Sequence, residues 1–171
     1  MNDDPCSPLP ALTGNKWLIE RRWRIQCLCL ELHEYLEKHA ISVKADWRFF
    51  SPLLAAAFSL WRAAFLADPN RKWEDIYEHA KTFFKILIED NAINYPQDRT
   101  TRAYSAGYYL NNAKFRLREV WDAIPDNYEP ERRKALEPLW KTDLDSNSPP
   151  DVWDSLYGAL CLALRFHQRF R

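Results

Sequence analysis

The run SPLLAAAFSLWRAAFLADP, Ser51 to Pro69, constrains this chain more than any other stretch. Ser51 is placed to cap a helix, Pro52 to take the first helical position, and Asp68-Pro69 to stop it. Between these signals nearly every side chain is apolar, with Ser59 and Arg62 as the exceptions. Roughly 15 such residues fall short of the ~20 needed to span hydrocarbon. A helix that is apolar all round in water has to be enclosed by other elements. The rest of the chain must therefore supply a shell, and no membrane partner is expected.

The shell reads as helix. Only three glycines occur in 171 residues, and valine is scarce, which removes the turn and strand chemistry of a β fold. A chain of this length can bury about 70% of its unfolded surface as one domain. From about Asn15 to His39, Leu18, Ile25, Leu28, Leu32 and Leu36 recur at helical spacing. A second stripe, Ile19, Trp23, Cys27 and Leu30, lies on the other side and needs a neighbour or a partner to cover it. Asn70 to Ala92 is amphipathic, with Lys85 and Glu89 spaced to pair. A helix from about Asp98 to Ile124 follows, then a shorter piece interrupted or restarted at Pro138, then a final helix from Pro150, with Val152, Leu156, Ala159, Leu160, Ala163 and Phe170 on one face. The expected fold is an all-α, single-domain bundle of five or six helices over residues 15–171. Residues 1–14, acidic and proline-rich, are expected to form a flexible N-terminal arm.

Most site chemistries lack their residues. Isolated glycines cannot form a phosphate-wrapping loop or a nucleophile elbow. No Glu-x-x-His is present for a di-iron bundle. The helical HEPN ribonucleases place His four to six residues after Arg, whereas eight residues separate Arg24 from His33 and seven separate Arg71 from His79. Asp75 and His79 read as a solvated pair rather than a metal site. Cys6, Cys27, Cys29 and Cys161 show neither zinc spacing nor a disulfide framework, and are expected to be reduced. No catalytic residue, metal or cofactor is expected, and with no signal peptide the expected location is cytoplasmic.

Charge is informative only locally, because Lys+Arg and Asp+Glu both number 24. From Arg99 to Arg118 there are five basic residues, Arg99, Arg102, Lys114, Arg116 and Arg118, and no acid. RFHQRFR adds Arg165, Arg169 and Arg171. Were these two helix ends adjacent, they would form a basic patch able to contact nucleic-acid backbone. Helix dipoles offer a plainer account of Arg116, Arg118, Arg165 and Arg169, but not of Arg99 and Arg102. Projection at about 100° per residue puts Ala103, Ala106, Leu110, Ala113, Leu117, Val120, Trp121 and Ile124 on a core stripe and Tyr104, Tyr108 and Phe115 on the opposite face, as interface candidates. Arg48 and Arg62, set in apolar surroundings, are expected to be paired or to reach water.

The segment LYGALCLALRFHQRF resembles the terminal helix of small all-α CRISPR effector subunits over about 15 residues. That resemblance implies a non-catalytic subunit of a ribonucleoprotein. The expected function is a non-enzymatic subunit of a larger assembly that binds protein and, through its basic patches, nucleic acid. The alternatives are a pure protein-interaction module, such as an adaptor or immunity protein, and a helical enzyme of unrecognised type.

Overall fold

The computed structural model describes residues 4–66, 81–89, 106–144 and 150–171. Among these residues the all-α fold is realised as α1 (Gly14–Lys38), α2 (Ala40–Ala45), α3 (Trp47–Leu66), α4 (Lys85–Glu89), α5 (Ala106–Asp122), α6 (Pro130–Trp140) and α7 (Pro150–Phe170). Among the described residues the helices number seven, partly because the chain turns twice after α1. His39 and Asp46 leave helical geometry and set off the six-residue α2. Most of the amphipathic segment Asn70 to Ala92 lies outside the described residues. At its described end, Lys85 and Glu89 pair at 3.7 Å.

The apolar run becomes the central helix, but it begins earlier than its signals imply. Ser51 and Pro52 do not start α3; the helix opens at Trp47 and carries Pro52 within it. An internal proline removes one backbone hydrogen bond and costs ~3 kcal/mol. The extension buries Phe49 and Phe50, each worth ~1.5–3 kcal/mol in side-chain burial, which offsets that cost. At its full length of 20 residues α3 is long and apolar enough to cross a membrane, yet 89% of its apolar window is buried by the rest of the chain.

Helix α5 packs most extensively on α3, with α1 and α7 completing the enclosure and α6 lying across α5 and α7. Small residues permit the close approach. Ala55, Ala56, Ala57, Ala63 and Ala64 on α3 and Gly107 and Ala113 on α5 are all buried. Each indole N–H in this core finds an acceptor, as a buried tryptophan requires. Trp61 donates to Gln26 at 3.2 Å, Trp121 to the Ala159 carbonyl at 3.1 Å, and Trp153 to the Leu60 carbonyl at 3.1 Å.

Four further features differ from the sequence expectation. The described part of the N-terminal arm is docked: Pro5 is buried, its carbonyl accepts from Tyr157 at 2.6 Å, and Leu9 and Leu12 pack against the core. Cys6 and Cys161 are not reduced thiols but a disulfide with Cα atoms 5.5 Å apart, because the arm folds back along α7. Helix α6 continues through Pro138 to Trp140, and Phe170 lies outside the core, 64% exposed.

Candidate functional site

The two helix ends suspected of forming a basic patch do meet, and several of their described cations are engaged by groups of the same chain. Arg171, at the end of α7, donates to the Ala123 carbonyl just past α5 at 3.1 Å and pairs with Asp46 at 3.3 Å. Its guanidinium lies over Phe49 and Phe166. Arg165 is held by Glu31 at 2.6 Å and Asp4 at 2.7 Å. Burial would raise the Asp4 carboxyl, but the Cys6 amide and Arg165 outweigh it and hold the carboxyl below its ordinary value. Lys114 is buried and donates to the Thr142 carbonyl. Arg116 reaches Glu119 at 3.6 Å. Arg118 and Arg169 remain exposed. Arg99 and Arg102 lie outside the described residues, as do Ala103, Tyr104, Asp75 and His79.

The dipole account of Arg116 and Arg118 is also revised. No basic residue occupies the last turn of α5. Its terminal carbonyls are met from other segments, by Arg171 and by Arg133, which donates to Trp121 at 3.0 Å and to Ile124 at 2.9 Å. Arg169 does lie in the last turn of α7. Arg48 is exposed, and Arg62 is buried with its guanidinium 5.2 Å from the Tyr109 ring centre.

Aromatic exposure follows the helical projection. Leu110, Ala113, Leu117, Val120, Trp121 and Ile124 are buried, while Tyr108 is 42% and Phe115 57% exposed. Seven residues at ~1.5 Å each separate that pair by about 10 Å along one face. The Lys114 ammonium lies 4.9 Å from the Phe115 ring centre, and Arg118 continues the same side toward solvent. This face of α5 is the candidate functional surface.

Two buried arginines escaped the sequence reading. Arg21 grips Asp154 through two hydrogen bonds of 2.9 Å and donates to Pro10 at 2.8 Å. Arg24 holds the Ser7 carbonyl at 2.8 Å and Glu20 at 2.9 Å. They fasten the arm to the bundle. The signal was the break in the α1 core stripe between Leu18 and Ile25, where Trp17, Arg21 and Arg24 stand in line with Leu28. His167 is likewise internal, fully buried between Phe49 and Phe50, with Nδ1 2.9 Å from the Tyr35 hydroxyl. Burial holds it below its ordinary value, against the pull of Asp46.

Among the described residues no three His, Cys, Asp or Glu side chains converge as a metal site. Burial pushes up both the Cys29 thiol and the Tyr157 hydroxyl, so each stays protonated near neutrality. A cavity of about 550 Å³ between the arm, α6 and α7 gathers Arg132, Arg165 and Arg169 together with Asp4 and Asp154, leaving little net charge. No protein-family model, curated protein or solved structure matches this chain.

Proposed function

We propose that this chain is a non-enzymatic helical subunit that docks onto a protein partner through the outer face of α5. The observation that carries the reading is a contrast in how side chains are used. Lys114 and Arg165 are held by groups of the same chain, while Phe115 is 57% and Tyr108 42% exposed. Nucleic-acid affinity grows with each phosphate neutralised, and internal pairing removes most of the cations that RFHQRFR and KFRLR offered. Exposed aromatics beside arginine are the composition of protein-interface anchors. The likeness of α7 to small CRISPR effector subunits agrees with a subunit role, although Arg165 and Arg171 of its basic cluster pair with acids of the same chain. The Cys6–Cys161 bond favours work in an oxidising compartment over the cytoplasm expected from the sequence.

The test is recovery of the tagged full chain from its native source, with and without nuclease. One protein should be retained at constant stoichiometry after nuclease treatment. Phe115→Glu with Tyr108→Ala should weaken that retention by roughly thirtyfold or more, whereas Arg169→Glu should leave it unchanged. Retention lost to nuclease, or to Arg118→Glu with Arg169→Glu and a steep salt dependence, would instead establish nucleic-acid binding.

A further inference from the structure

Helix α1 has a second outward face that the bundle does not cover. Ile19 is 63%, Trp23 48% and Leu30 46% exposed. With Lys16, Gln26, Glu34 and Glu37, they fall on one seam, with positions recurring three and four apart. Between this seam and the end of α3 runs an open groove of about 410 Å³, lined by Arg22, Trp23, Gln26, Cys27, Leu30 and Phe65. The Arg22 guanidinium closes one side of it, 4.5 Å from the Phe65 ring centre.

Charge along the seam is polarised. Exposed Lys16 stands at the N-terminal end, and exposed Glu34 and Glu37 at the C-terminal end. Such a helix repels a parallel copy of itself and complements an antiparallel one. We propose that α1 is a self-association surface, occupied by a second copy of this chain in antiparallel orientation about a two-fold axis near Gln26. In that arrangement Trp23 of each copy enters the groove of the other, against Cys27, Leu30 and Phe65. Lys16 of each copy then reaches the acidic end of its mate. The interface is isologous and closes at two subunits. A formal net charge of zero means that no long-range repulsion opposes the approach of two identical chains. The surface is separate from the α5 face, so the two readings stand or fall independently.

Sedimentation equilibrium of the full chain, over roughly two decades of concentration, decides the matter. The wild type should sediment with twice the chain mass. Trp23→Glu should sediment as a monomer with an unchanged circular dichroism spectrum, and Phe115→Glu should remain a dimer. Lys16→Glu should weaken association on the order of fivefold to tenfold, and adding Glu34→Lys and Glu37→Lys to it should restore the affinity. Both substituted ends are exposed, so the charge exchange remains informative should Trp23→Glu fold poorly. Maleimide modification of Cys27 should slow as the dimer forms, because Trp23 of the mate covers it, and no other thiol competes, Cys29 being buried and Cys6 and Cys161 bonded to each other. A wild type that stays monomeric throughout overturns the proposal, whether or not a foreign chain binds this face. A dimer indifferent to Trp23→Glu, or a charge exchange that fails to restore affinity, overturns it equally.

Discussion

Opening the Cys6–Cys161 bond should cost this protein more stability than any single contact in its core. The two cysteines are separated by 155 residues, so the bond closes nearly the whole chain into one loop. Loop-closure entropy for that length sets a ceiling of about 5 kcal/mol. The bond is reinforced, because Asp4, Pro5, Ser7 and Pro10 are also held by Arg165, Tyr157, Arg24 and Arg21. Those contacts keep the reduced arm docked in the native state, so the bond acts mainly by restricting the unfolded chain. The expected loss for Cys161→Ser is then ~3–5 kcal/mol, and at ~2–4 °C per kcal/mol for a chain of this size the melting point should fall by roughly 6–20 °C. Thermal melts followed by circular dichroism, with and without reductant, measure it, with mass spectrometry confirming the state of the thiols. Cys161→Ser should be insensitive to reductant and match the reduced wild type. Cys29→Ser should keep the full response. Equal melting points for verified oxidised and reduced protein would refute the reasoning, since closure of so long a loop has no other way to act.

Two other perturbations read the interior. His167 is held below its ordinary value by burial, so between pH 6.5 and that lowered value the unfolded chain binds a proton that the native protein refuses. Stability should therefore decline as pH falls below 6.5, and urea titrations of His167→Gln should show a flatter slope in that window. Asp154→Ala should cost ~3 kcal/mol by chemical denaturation, because it strips the bidentate partner from buried Arg21. The paired change Arg21→Met with Asp154→Leu should cost less than Asp154→Ala alone, since no buried charge is then left behind.

Periodicity carried the architecture well because a helix repeats its demand every turn. The buried stripe of α5, its exposed Tyr108 and Phe115, and the central position of α3 could all be read from spacing alone. Local stop and start signals did less well wherever tertiary packing competed with them. Pro52 and Pro138 both sit inside helices, and for Pro52 the compensation is the burial of Phe49 and Phe50 against His167, far along the chain.

The candidate site shows why charge is harder to read than apolarity. A leucine buried on the wrong neighbour still satisfies the hydrophobic effect, so its pattern reports burial without naming a contact. An arginine reports nothing until its partner is known, and here the partners lie far along the chain: Asp154 for Arg21, Asp46 for Arg171, Asp4 and Glu31 for Arg165. RFHQRFR read as a basic cluster because its acids come from the N-terminal arm, α1 and the α2–α3 junction, which fold onto α7 only in the finished bundle. A local excess of one charge sign in a chain whose total is zero is thus as much a sign of long-range internal pairing as of an external ligand. Trp23 and Leu30 on α1 and Phe115 on α5 are exposed apolar side chains, and exposed apolar surface of that kind is stabilised by protein contact rather than by phosphate.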